Sequence, residues 1–92
     1  MNIKNWRVKL IIKIILDELK NAEEEFPWWP ADPVHAASIA SEEAGELTKA
    51  VNDFYWGREK NKLGIEKEAV HAAAMYIRFL INLTAYHPEP KF

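Results

Sequence analysis

The residues of this sequence best suited to chemistry are glutamates at helical spacing. Glu42, Glu43 and Glu46 stand in one run, and Glu68 precedes His71 by three positions. On a helical wheel Glu43 falls inside the apolar arc of its helix, and Glu68 falls among apolar residues of the following helix. Carboxylates are rarely buried unless they are paired or bound to a cation, because removing their charge from water is costly. We therefore expect these two inward-facing side chains to share a partner.

A hard divalent cation is the simplest partner for carboxylates on facing helices. Residues three positions apart are neighbours on a helix surface, so Glu43 lies beside Glu46, and Glu68 lies beside His71. We predict a Mg²⁺ site, with Mn²⁺ as the other possible ion, held by these four side chains. The alternative interpretation is a solvated glutamate face, with His71 a hydrogen-bonded structural residue. Gly45 lies mid-helix among these groups and either permits a close helix contact or is merely tolerated there.

Three helices must position these groups, over about residues 3–25, 33–56 and 65–86. Asp32 followed by proline is typical of a helix start, and Gly57 of a helix end. No stretch alternates with period two, so the fold class is all-α. The apolar stripe predicted for the first helix comprises Val8, Ile11, Ile12, Ile15, Leu16, Leu19, Ala22 and Phe26.

A chain of 92 residues forms one domain, here residues 1–92, and three helices of this length bury only a modest core. The third helix carries apolar residues on more than one side. We therefore expect three main helices that form a four-helix-bundle-type core completed by oligomerisation, as a homodimer or homotetramer.

The composition of the chain excludes several classes of protein and of binding site. The net charge of −2 is too balanced for a binder of nucleic acid polymers. The absence of cysteine excludes disulfides and thiolate metal sites. No apolar run reaches the length of a membrane span, so we expect a soluble, cytoplasmic domain that binds no membrane.

The two glutamate elements together resemble those of a known superfamily. Glu42-Glu43-Ala44-Gly45-Glu46-Leu47, followed by Glu68-Ala69-Val70-His71 on the next helix, is similar to the MazG-like, all-α nucleoside triphosphate pyrophosphohydrolases. That superfamily carries an E-E-x-x-E element on one helix and an E-x-x-D element on the next. His71 replaces the aspartate, a change that we associate with short phage-type and mobile-element members.

The resemblance implies Mg²⁺-dependent hydrolysis of an NTP or dNTP to the monophosphate and pyrophosphate. It implies catalytic roles for Glu42, as an outer carboxylate that orients water or takes its proton, and for Glu43. A nucleobase could stack on aromatic side chains, and cations could hold the phosphates; both kinds of residue could equally be structural or solvated. The candidate substrate-binding residues are Trp28, Trp29, His35, Lys49, Arg58, Lys67 and Arg78.

Two other functions are compatible with the same residues. The first is a catalytically inactive MazG-like module that binds nucleotide or only oligomerises, which the His71 replacement favours. The second is a helical interaction domain whose glutamate face binds a basic partner, which leaves the inward positions of Glu43 and Glu68 unexplained.

Overall fold

The computed structural model describes residues 1, 2 and 4–87. It contains helices α1 (Trp6–Glu25), α2 (Pro33–Tyr55) and α3 (Leu63–Ile81), followed by a short 3₁₀ turn, Leu83–Ala85. All regular structure in these residues is helical, which confirms the all-α prediction. Within the same residues, no helix combines the length with the apolarity that a membrane crossing requires.

The boundaries of α2 follow from its capping residues. The Asp32 side chain accepts a hydrogen bond of 2.9 Å from the Val34 N–H, and Pro33 occupies the first helical position. After the helix, Gly57 adopts a positive φ of 78°, the left-handed conformation that glycine tolerates best. Both predicted ends of α2 are therefore confirmed to within one residue.

Helix α1 ends at Glu25, as predicted, but the starts of α1 and α3 differ from the prediction. The Asn5 side chain accepts from the Arg7 N–H, so α1 begins at Trp6; the predicted start at residue 3 lies outside the described residues. The Asn61 side chain accepts from the Leu63 N–H at 3.0 Å, and α3 begins there rather than at 65.

The predicted helical end at residue 86 is wrong. The backbone N–H and the side chain of Asn82 both donate to the Arg78 carbonyl, and the chain leaves α-helical geometry after Ile81. The prolines at 88 and 90, predicted to end this helix, lie outside the described residues.

Helix α3 is central, because it packs against both α1 and α2. No Cα atom of α1 lies within 8 Å of a Cα atom of α2. Both sides of α3 thus have a packing partner within the chain, and Val70 lines a depression together with Ile14 of α1. Tyr76, Leu80 and Ile81 of α3 stay exposed. The gap between α1 and α2 is the space in which the candidate site lies.

The buried core is small. It consists of Leu19, Ala36, Ala40, Ala72 and Ala74, and no large side chain among the described residues is fully buried. The stripe predicted for α1 is only partly packed, because Ile11, Ile12 and Leu16 are 54%, 43% and 49% exposed. The radius of gyration is 15.6 Å, against about 12 Å for a compact chain of this length.

Candidate functional site

All three helices contribute to a cluster of charged side chains around His71. Its Nε2 atom lies 3.5 Å from Oε1 of Glu18 in α1. Its Nδ1 atom lies 3.9 Å from Oε2 of Glu43 in α2 and 3.9 Å from Oε2 of Glu68 in α3. We call these four residues the carboxylate–imidazole cluster. Its members are half-buried, each with 20–33% of its side chain exposed.

Three members of the cluster are close enough to share one ion. One ligand atom from each of Glu43, Glu68 and His71 lies within 4.8 Å of the other two. Carboxylate oxygens are the protein ligands that Mg²⁺ and Mn²⁺ prefer, whereas imidazole is more typical of Zn²⁺, Fe²⁺ or Ni²⁺. The two carboxylates therefore fit the predicted ion. Three of the four predicted metal ligands are brought together here.

Glu42 and Glu46 lie outside this cluster. Successive residues of a helix point about 100° apart, which turns Glu42 away from Glu43, whereas Glu46 lies one turn further along α2. Glu46 is exposed and lines a neighbouring cavity of about 360 Å³, together with Glu68 and Lys49. Glu68 thus connects the cluster to this second cavity. Glu42 is exposed in a shallow surface depression that also contains Val34.

Sequence reasoning missed Glu18. The stripe that it followed along α1 did not include this residue. The available signal was the spacing of four between Ile14, Glu18 and Ala22, which places them on one line of the helix. Ile14 and Glu18 line a depression shared with His71, and Ala22 lines the cavity beside it.

An aromatic cavity of about 400 Å³ adjoins the cluster. Glu18, Glu43 and His71 form part of its lining, which makes the cluster and the cavity one continuous site. The remaining lining is mainly apolar and includes Phe26, Trp28, Trp29, Ile39 and Met75. The aromatic members come from the residues that join α1 to α2; we call Phe26–Pro30 the aromatic segment.

Two predicted substrate-binding residues meet at the edge of this segment. The ring of His35 lies 5.7 Å from that of Trp28, measured between centroids, with an angle of 56° between the planes. Both side chains are exposed. Trp29 is half-buried, and its Nε1 donates a hydrogen bond of 2.8 Å to the Tyr86 hydroxyl.

Arg78 is buried instead of standing free in solvent, with only 4% of its surface exposed. Its Nη2 donates to the Phe26 carbonyl at 2.6 Å and reaches the Trp28 carbonyl at 3.4 Å. The guanidinium carbon lies 4.8 Å from the centre of the Trp29 ring. The side chain that was predicted to bind phosphate thus contacts the backbone and one ring of the aromatic segment.

The other predicted cations lie elsewhere. Lys49 and Arg58 both pair with Asp53, at 3.5 Å and 2.9 Å. The hydrogen bond from Arg58 lowers the pKa of the Asp53 carboxyl below its usual value, and the charge of Lys49 adds to this effect. Lys67 is exposed on the α1 side of α3, in the depression that Glu18 and His71 also line.

Comparison of the chain with profiles of protein families, with curated proteins and with solved structures finds no match. Glu43 and Glu68 belong both to the carboxylate–imidazole cluster and to the two short glutamate elements of the sequence.

Proposed function

We propose that this protein is a Mg²⁺-dependent nucleotide pyrophosphohydrolase that converts an NTP or dNTP to the monophosphate and pyrophosphate. The observation that carries the proposal is the convergence of Glu43, Glu68 and His71 within 4.8 Å, next to an aromatic cavity. The resemblance of the two glutamate elements to the MazG-like enzymes supports the same reaction.

A metal ion is required by the charges of this site. A triphosphate is strongly negative, so carboxylates can face it only with a cation between them. Glu43 and Glu68 would hold the ion, with His71 as third ligand. When bound, Mg²⁺ supplies positive charge to the phosphate oxygens and lowers the pKa of a coordinated water.

The remaining carboxylate has a separate task. Glu18 adds an acidic group beside the three possible ligands, and Glu42 is exposed away from the cluster. We therefore assign to Glu18 the proton-accepting role that the resemblance implied for Glu42. Water attacks the α-phosphorus, the bond from that phosphorus to the bridging oxygen breaks, pyrophosphate leaves, and the proton of the water passes to the carboxylate.

The two cavities accommodate the two ends of the substrate. The base stacks in the aromatic cavity, against Trp28 and its neighbour His35. The phosphates extend past Glu68 into the second cavity, whose lining includes Lys49, paired with Asp53, and the carboxylates of Glu46 and Glu59. A further ion held by Glu46 would offset these negative charges. Arg58 and Lys67 line neither of these two cavities, so we assign them no contact with substrate.

We also propose that the chain works as a homodimer or homotetramer. The support is the lack of any fully buried large side chain in the described residues, together with the exposed isoleucines of α1. A second copy would supply the fourth helical layer that the three-helix arrangement lacks.

One observation favours a second candidate, a nucleotide-binding module without turnover. His71 stands where the superfamily has aspartate, and it contacts three carboxylates at ion-pair distances. In its protonated form it would neutralise part of the charge that otherwise attracts a metal.

Product analysis separates the two candidates. The protein is incubated with canonical and modified NTPs and dNTPs, with Mg²⁺ and with EDTA, alongside the Glu43→Gln and Glu68→Gln variants. Monophosphate and pyrophosphate, formed only with Mg²⁺ and lost in both variants, support the enzyme. Release of single phosphates contradicts it, and binding without products supports the module.

A further inference from the structure

Arg78 carries a buried charge with an unusual set of partners. Within the described part of the chain, no carboxylate oxygen lies within 4.0 Å of its nitrogens. A buried charge is costly unless other groups compensate it. Here the compensation comes from the carbonyls of Phe26 and Trp28 and from the face of the Trp29 ring. Three of the five residues of the aromatic segment therefore contact one side chain of α3.

A second set of contacts holds the same segment. Trp29 donates to the Tyr86 hydroxyl, which in turn donates to the Phe79 carbonyl at 3.0 Å. The rings of Phe79 and Tyr86 lie 4.9 Å apart. The aromatic segment is thus fastened to the C-terminal end of α3 by two independent groups of contacts.

Helix α3 also carries His71, the residue at the centre of the carboxylate–imidazole cluster. His71 and Arg78 are separated by two helical turns, which is about 10 Å along the axis. Both line the aromatic cavity. The rigid helix therefore sets the distance between the ligand atoms of the cluster and the aromatic side chains that Arg78 holds.

We propose that Arg78 is a positioning residue for the base of the substrate. It holds the aromatic segment against α3, so that Trp28 and Trp29 form a fixed wall on which the base stacks. It makes no contact with the phosphates. This inference rests on the proposed function, because it assumes a nucleotide whose phosphates are held at the carboxylate–imidazole cluster.

The test compares KM with kcat in Arg78→Lys, which keeps the charge but loses the planar fork and its stacking. We expect KM to rise about tenfold, which is within the range that stacking on one aromatic side chain provides. The value of kcat should change less than about threefold, since the cluster is untouched. Arg7→Lys is the matched control, because Arg7 lies 5.6 Å from the Trp6 ring on an exposed surface.

A spectroscopic measurement tests the positioning directly. In a chain with Trp6, Trp28 and Trp56 changed to phenylalanine, emission reports on Trp29 alone. Adding Arg78→Lys should shift this emission to longer wavelength and increase its quenching by acrylamide. Tyr86→Phe, which removes the hydroxyl that accepts from Trp29, should act in the same direction. If Arg78→Lys fails to fold, Arg78→Gln, whose amide can still donate to a backbone carbonyl, takes its place.

The outcomes distinguish this inference from the proposed function. A folded Arg78→Lys variant with unchanged KM, or with a fall confined to kcat, overturns the positioning role while leaving the enzyme intact. An unchanged Trp29 emission in the folded variants overturns it as well. A wild-type protein that neither hydrolyses nor binds any nucleotide overturns the proposed function, and with it the ligand assigned to this wall.

Discussion

His71 determines how the carboxylate–imidazole cluster behaves before any ion binds. A neutral imidazole donates one hydrogen bond and accepts another, so it cannot compensate three carboxylates at once. The distances of 3.5–3.9 Å from His71 to its neighbours are too long for strong hydrogen bonds. Beside a neutral imidazole, the charges of Glu18, Glu43 and Glu68 would repel one another in the free protein.

Removing one of these charges should show whether the cluster binds metal. We expect Glu43→Gln to leave the Tm of the metal-free protein unchanged or to raise it, because repulsion falls. Mg²⁺ at a hundredfold excess over its Kd stabilises a protein by about 2.7 kcal/mol, a Tm rise on the order of 10 °C for a chain of this size. The variant should retain less than half of that rise, as measured by thermal unfolding with and without Mg²⁺.

The control for this comparison is Glu24→Gln, an exposed glutamate of α1. It removes the same charge from the chain and should keep the full Mg²⁺ response. If Glu43→Gln melts lower than the wild type and responds equally to Mg²⁺, Glu43 is a structural ion-pair partner and the metal site lies elsewhere.

A second substitution tests the identity of the third ligand. His71→Asp restores the E-x-x-D element and places a fourth carboxylate in the cluster. Without metal the added charge should lower the Tm; with Mg²⁺ the variant should show a larger Tm rise than the wild type and equal or higher turnover. Turnover as low as that of Glu43→Gln would instead mean that the imidazole itself is required.

Single residues of the site could be predicted from the sequence where a charged residue interrupts the apolar arc of a helix. That criterion identified Glu43 and Glu68, and spacing then added His71. It failed for Glu18, because recognising that residue requires knowing which side of α1 packs against α3. It also did not indicate the burial of Arg78, since a basic side chain gives no sign in the sequence that it will lie under backbone carbonyls.

At the scale of the elements, the two glycines of the α2 region have opposite conformational demands. Gly45 lies inside the helix, and a Cβ atom placed there would meet no neighbouring heavy atom within 4 Å. Of the two interpretations of Gly45, a close helix contact is therefore excluded within the described chain. Gly57 has a φ of 78°, which side chains with a Cβ rarely adopt.

Alanine substitution should separate these two demands. We expect Gly45→Ala to increase the free energy of unfolding by about 0.5–1 kcal/mol, since alanine favours the helix. Gly57→Ala should decrease it by about 1 kcal/mol or more. Urea unfolding of both variants gives the two values. A destabilised Gly45→Ala would mean that this face is occupied, in solution, by something outside the single chain.

The two ends of α2 were predictable because their signals are local. Asp32 with its following proline, and Gly57, specify conformations within a few residues. The end of α3 was not, because Asn82 stops the helix through hydrogen bonds that its type alone does not dictate. The prolines beyond it offered a more obvious but later signal.

At the scale of the whole molecule, the small core and the exposed apolar residues of α1 predict association. We expect light scattering at micromolar concentration to give a mass two or four times 10.7 kDa. Ile12→Glu should shift the protein toward smaller species, because Ile12 lies on the exposed side of α1. Lys20→Glu, an exposed change on the same helix, is the control. A stable, fully folded monomer in the wild type would refute this prediction.

The architecture was predictable as a helix count but not as an arrangement. Amphipathic spacing indicates that each helix packs, without indicating which helix lies in the middle. The two apolar sides of α3 suggested a partner subunit, whereas much of this surface is used by α1 and α2. The space left between the outer helices, on which the site depends, has no signature in any one helix.

The central position of α3 also implies an order of local opening. Since α1 packs on α3 and has no Cα atom within 8 Å of α2, α1 can detach without disturbing the pairing of α2 with α3. Amide hydrogens of α1 should then exchange with solvent through a partial unfolding that leaves α2 and α3 protected. Each such opening would withdraw Glu18 from the cluster while Glu43, Glu68 and His71 stay together. The negative charge next to the site would therefore change whenever α1 partly unfolds.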